Sequence, residues 1–105
     1  MPPEWGTLRH MLFMVIERFK PGCASLIKER FAERGRLLPD AVVYHASWLD
    51  AAGTQCFQIM EAANLELLQT WARSWDDLID FEFVRVLTSE DFWAGFHPGQ
   101  VPMRP

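Results

Sequence analysis

Clusters of basic residues, metal-ligand spacings and long apolar runs are all missing from this chain of 105 residues, and each absence excludes a class of function. Without concentrated Lys and Arg, and with a formal net charge of −4, it is not expected to bind along a nucleic-acid backbone or on an anionic membrane surface. No apolar run approaches the roughly 20 residues of a membrane-spanning helix. Glu4 and the single Arg9 precede only a short apolar patch, so no secretory signal is expected. Cysteine occurs only at Cys23 and Cys56, with no Cys-x-x-Cys, and free thiols in a reducing cytoplasm are the expected state. The three histidines form no His-x-x-x-His pair, and there is neither a Gly-rich phosphate loop nor a Ser/His/Asp nucleophile signature. The expectation is therefore no metal, no cofactor and no nucleic acid.

What is present is one domain's worth of hydrophobic sequence, half of all residues, in ordered patterns. The stretch Val42–Glu61 contains two runs rich in β-branched and aromatic residues, Val42–Trp48 and Thr54–Glu61, around the loop Leu49-Asp50-Ala51-Ala52-Gly53. A Gly-containing connection of that length predicts a hairpin. Upstream, Met11–Phe19 is apolar on both parities as far as Ile16, which predicts a central strand, and Glu17 and Arg18 are read as its exit from the core. After Pro21-Gly22, helical spacing from Cys23 to Arg34 puts Cys23, Ile27 and Phe31 on one face; Gly35 ends the helix, and Arg34 and Arg36 suit its negative end.

Downstream of the hairpin, Asn64 is a good N-cap for a second helix whose stripe runs Leu67, Leu68, Trp71, Trp75, Leu78. Phe81–Thr88 alternates as a strand, and Ser89-Glu90-Asp91 opens a short helical turn carrying Phe92 and Trp93. The domain is expected over residues 11–94, with an extension at 1–10 and a tail at 95–105. Strand, helix, strand, strand, helix, strand predicts an α+β, ferredoxin-like βαββαβ sandwich: a four-stranded antiparallel sheet with both helices on one face. The other face would be bare and apolar, so a homodimer pairing sheet with sheet, as a dimeric α+β barrel, is expected to bury roughly 1,500 Å² or more, with Phe92 and Trp93 latching onto the partner.

The runs MLFMVIERF at Met11–Phe19, RGR at Arg34–Arg36, SW at Ser47–Trp48 and CFQIME at Cys56–Glu61, with Trp71, Trp75 and FEF at Phe81–Phe83, together resemble a small bacterial family, the domain-of-unknown-function 3303 family. The resemblance spans about Met11 to Thr88 and makes Met1–His10 an extension. It implies a dimeric α+β barrel and no established activity. Fold-level relatives include cofactor-free monooxygenases, muconolactone isomerases, haem-degrading enzymes and stress-response proteins, so fold alone does not select a function.

Pairing Trp48 with Thr54 sets Ala46 opposite Cys56, Tyr44 opposite Gln58 and Val42 opposite Met60. Tyr44, Trp48, Cys56, Gln58 and Met60 then share one face, a mixture of aromatic, thiol and amide groups suited to a small-molecule pocket, unless Tyr44 and Trp48 are interface aromatics with their polar tips hydrogen-bonded. Val43, Phe57 and Ile59 take the other face as plain core, apart from His45. His45 is the only histidine inside a predicted strand and so the candidate acid or base, with Tyr44 as a candidate donor; as neighbours on a strand they point to opposite faces and do not make a dyad. Cys56 has no activating partner except His45 or Arg18. Glu17 and Glu61 are either paired carboxylates or neutralised by Arg18 or Arg85. Three functions fit: a homodimer binding a small apolar or aromatic ligand between sheet and helices, a non-catalytic dimeric module, and an enzyme resembling cofactor-independent monooxygenases or isomerases.

Overall fold

Leu12, Met14 and Ile16 alternate with Phe13 and Val15 along Met11–Phe19, so this strand, β1, needs cover on both faces and neighbours on both edges. The computed structural model describes residues 10–97 and places β1 inside a four-stranded antiparallel sheet. Strand β2 is Val43–Leu49, β3 is Gln55–Ala62 and β4 is Ile79–Val86, in the spatial order β2-β3-β1-β4. Helix α1, Ala24–Arg34, links β1 to β2; α2, Leu65–Ala72, links β3 to β4; α3, Ser89–Ala94, follows β4. This is the ferredoxin-like arrangement read from the sequence, closed by one short helix. The expected extension, His10 apart, and the tail beyond His97 lie outside the described residues.

The register sorts side chains into two faces. Phe13, Val15, Glu17 and Phe19 of β1 share the helix-covered face with Cys56, Gln58, Met60 and Ala62 of β3 and with Ile79, Phe81 and Phe83 of β4. There Phe13, Val15, Met60 and Ala62 pack against Leu68, Trp71 and Ala72 of α2 and against Trp75 and Leu78 just beyond it. The T-shaped contact of Trp71 with Phe81, 5.4 Å between centroids, extends this packing. By contrast α1 contributes no buried residue, and its Phe31 is 46 % exposed. One half of the sandwich is solid and the other is loosely covered.

Two boundaries that shape the core differ from the sequence reading. Helix α2 begins where predicted, with Asn64 Oδ1 accepting from the Leu67 amide at 3.0 Å, but ends at Ala72. Turns bonded from Trp75 to Ala72 and from Leu78 to Trp75 then carry Trp75 and Leu78 into the core. Strand β4 starts at Ile79, two residues before Phe81, because the Leu78 carbonyl accepts from the Lys20 amide at 2.9 Å and Ile79 pairs with Phe19.

The hairpin register also differs. The Asp50 carboxylate accepts from the Thr54 amide and hydroxyl, both at 2.8 Å, and from the Gln55 amide at 3.2 Å, which folds Thr54 into the loop. Leu49 then pairs with Cys56 and Trp48 with Phe57 rather than Thr54. A β-bulge at His45 reverses the alternation, so Tyr44 lies opposite Met60 and Ser47 opposite Gln58. Tyr44, Ser47 and Leu49 therefore face the helices, while Val43, Ala46 and Trp48 face away.

Replacing Asn64 with Ala leaves an orphan amide at the start of α2, which holds Leu68 and Trp71 in the core. The expected outcome is a loss of about 1 kcal/mol of unfolding free energy with an unchanged urea m-value.

Candidate functional site

Beneath α1 the sheet offers Glu17, Ser47, Cys56 and Gln58 between the apolar Phe19, Leu49 and Ile79, and α1 opposes them with Ala24 and Ile27. These groups leave a cavity of about 340 Å³, walled chiefly by Phe19, Ile27, Phe31, Trp71, Trp75 and Ile79. That volume falls at the lower end of the range for small-molecule sites, about 300–1,000 Å³, and the mixture of apolar walls with few polar groups is theirs as well.

The polar groups form a relay. Glu17 Oε2 accepts a hydrogen bond from Gln58 Nε2, and Gln58 Oε1 accepts from Arg36 Nε at 3.1 Å. The Arg36 guanidinium lies over the Tyr44 ring, 3.8 Å from its centroid, and 5.3 Å from that of Phe31. The Tyr44 hydroxyl in turn shares a 2.7 Å hydrogen bond with Ser47 Oγ. The backbone of Arg36 is clamped as well: its carbonyl accepts from the indole N–H of Trp71 at 2.8 Å and of Trp75 at 3.1 Å. Leu37, next in the chain, has φ of 63°, a left-handed conformation that costs an L-residue about 1–2 kcal/mol. The two indole hydrogen bonds, about 1 kcal/mol each, offset that cost.

Glu17 is 7 % exposed, and burial pushes its carboxyl up to about 7, against the opposing pull of the Arg36 charge and the Gln58 hydrogen bond. Near neutral pH both protonation states are populated, so this carboxyl is able to exchange a proton with a molecule in the cavity. Cys56, opposite Glu17 in the sheet, has its thiol pushed up to about 11 by burial and by the Glu17 charge, with Arg36 opposing. It stays a neutral thiol and serves as wall. Among the described residues no three His, Cys, Asp or Glu side chains are grouped to hold a metal ion.

The residues picked from the sequence are dispersed by this geometry. Cys56 and Gln58 line the cavity; Tyr44 lies at its edge beneath Arg36; Met60 is fully buried in the solid half. Trp48 is on the opposite face and 57 % exposed, a consequence of the His45 bulge. His45 also turns from the cavity, its Nε2 lying 2.8 Å from Glu61 Oε1, while His10 Nδ1 lies 3.1 Å from Glu61 Oε2. Glu17 and Glu61 are not a carboxylate pair, since they occupy opposite faces of the sheet. Nor does Glu17 mark the exit of β1 from the core; it is a buried member of it, and the exit comes at Arg18, which pairs with Glu82 at 2.9 Å. Arg36, read as complementing the α1 dipole, is the residue the sequence reading missed. Its place in the RGR run, one residue past the helix-ending Gly35, was the available signal.

The Glu17 carboxyl titrates at 4.5 when unperturbed and at about 7 in the fold, so the folded chain holds this proton more tightly than the unfolded one. Its contribution to stability is complete below the lower value and is lost as pH rises through the higher one. Glu17→Gln should remove that loss. Urea unfolding is expected to show the variant gaining about 3 kcal/mol on wild type between pH 4 and pH 8, with most of the gain between the two titration points.

Neither the curated proteins nor the solved structures compared with the chain give a match. A family model does match, over residues 11–100, which takes in every strand and helix described above. The chain belongs to the family described as Domain of unknown function (DUF3303).

Proposed function

We propose that this protein is a cytoplasmic homodimer that binds a small, largely apolar organic molecule in the cavity between α1 and the sheet. The observation carrying the ligand reading is the hollow beneath α1, about 340 Å³, lined by aromatic and aliphatic side chains around the Glu17–Gln58–Arg36 relay. A purely structural module gains nothing from leaving a hollow of that size beneath α1, because each missing contact lowers stability.

The dimer reading rests on the face away from the helices. Leu12, Met14, Ile16, Phe57 and Ile59 are half-buried there, and Val43, Trp48 and Val84 are 41, 57 and 38 % exposed. Adjoining apolar side chains from all four strands make the kind of patch that marks an interaction surface, and an isologous sheet-to-sheet contact covers it. On α3, Phe92 and Trp93, 43 and 60 % exposed, are available to the same partner. The cytoplasmic assignment is supported by the two free cysteines, and no helix among the described residues is long and apolar enough to cross a membrane.

Sedimentation equilibrium at about 10 μM, above the roughly μM-to-pM dissociation constants of standard-sized interfaces, should give twice the chain mass. Ile59→Lys, a charge in the middle of the open face, should give the monomer; a wild-type monomer would contradict the dimer. For the cavity, thermal-shift measurements with one- and two-ring aromatic acids, their neutral analogues and lactones should find compounds that raise the melting temperature. Ile27→Trp, which fills the cavity, should abolish the shift. If no compound acts, the ligand reading is wrong.

A further inference from the structure

Arg36 is only partly satisfied by the fold. Its Nε is committed to Gln58 and its plane to the Tyr44 ring, but its two terminal nitrogens have no acceptor among the described residues, and the residue lines the cavity. A guanidinium fixed by stacking and by one hydrogen bond presents the remaining N–H groups as a fork, the geometry that takes a carboxylate with two parallel hydrogen bonds. We propose, building on the ligand-binding reading above, that the cavity takes an aromatic or apolar carboxylic acid as its carboxylate, held by the terminal nitrogens of Arg36 with the hydrocarbon part against Ile27, Phe31, Trp71 and Trp75.

The charge around the cavity fits this occupant. The titratable or charged residues lining it are Glu17 from β1, Lys28 from α1, Arg36 from the α1–β2 connection and Cys56 from β3; Tyr44 of β2 lies beneath Arg36, and α2 and β4 add only apolar groups. Two cations therefore stand against one carboxyl and a neutral thiol. A ligand carboxylate on Arg36 removes the positive charge that helps Glu17 ionise and adds a negative one nearby, so the bound complex keeps Glu17 protonated. The proton comes from solvent. Gln58, which donates to Glu17 and accepts from Arg36, holds both ends of the site in register.

The test uses the full chain and matched acid–amide pairs, benzoate with benzamide and 2-naphthoate with 2-naphthamide, by titration calorimetry. The acids are expected to bind at least about tenfold tighter than their amides at pH 7, as a charge-assisted bidentate contact requires. Calorimetry in buffers of different ionisation enthalpy should show proton uptake on binding the acids. Their affinity should be flat on the acid side of neutrality and fall by about tenfold per pH unit well above it. Glu17→Gln should lose that pH dependence; Arg36→Gln should erase the preference for acids. Should Arg36→Gln not fold, proton uptake and the wild-type pH profile decide the matter. Amides binding as tightly as acids would overturn this proposal and leave the cavity a site for neutral ligands; acids binding without proton uptake would overturn it as well. If neither member of any pair binds, both this proposal and the ligand reading fall.

Discussion

A carboxyl group in the middle of a β-sheet core sets the terms for the rest of this molecule. Removing an ion of that size from water costs several kcal/mol even after the surroundings relax, so Glu17 must be neutral, or partnered, or both. The chain does both in part. Gln58, opposite Val15 two residues back along β1 and so on the same face, donates to it, and the amide passes the connection on to Arg36. Arg36 reaches this position because Gly35 ends α1 at the right place and because the indoles of Trp71 and Trp75, which also wall the cavity, hold its carbonyl. A loop residue, a sheet residue and a helix–turn segment are thereby tied to one buried acid.

That tie explains why the sandwich is uneven. Where α2 crosses, the sheet presents Phe13, Val15 and Met60, and Leu68 and Trp71 fill the space above them. Where α1 crosses, the same face presents an acid, an amide, a thiol and a hydroxyl between Phe19, Leu49 and Ile79, and no side chain fills the gap. The bidentate contact from Arg30 to Asp77, both hydrogen bonds at 2.8 Å, ties α1 to the segment after α2 instead. So α1 is held at the rim of the cavity and roofs it without occupying it. The two histidines on Glu61 sit on the far face, separated from this chemistry by the thickness of the sheet.

How much of this was legible varied with the kind of signal. The limits of Met11–Phe19, the cap at Asn64 and the order of elements depend on local periodicity and local chemistry, and the sequence displays both. The hairpin faces depend on a single residue of register. There the Asp50 side chain, by gathering Thr54 and Gln55, and the His45 bulge decided between two alternations that composition could not separate. Trp48 crossed to the open face for that reason, while Tyr44 and Gln58 stayed on the helix side. Glu17 was misread because a charge after an apolar run usually marks a strand's exit into water. Only the long-range contact with Gln58 and the distant help of Arg36 make it a core residue, and neither is encoded near position 17.

The account stands or falls on the state of that one carboxyl. A carbon-13 NMR titration of the ligand-free protein, following the Glu17 side-chain carboxyl, measures it directly. The relay predicts a midpoint at about 7, moving further up when Arg36 is replaced by Gln and its charge is removed. A midpoint at the ordinary 4.5, unmoved by that substitution, would mean that Glu17 is solvated, and that no buried site exists beneath α1.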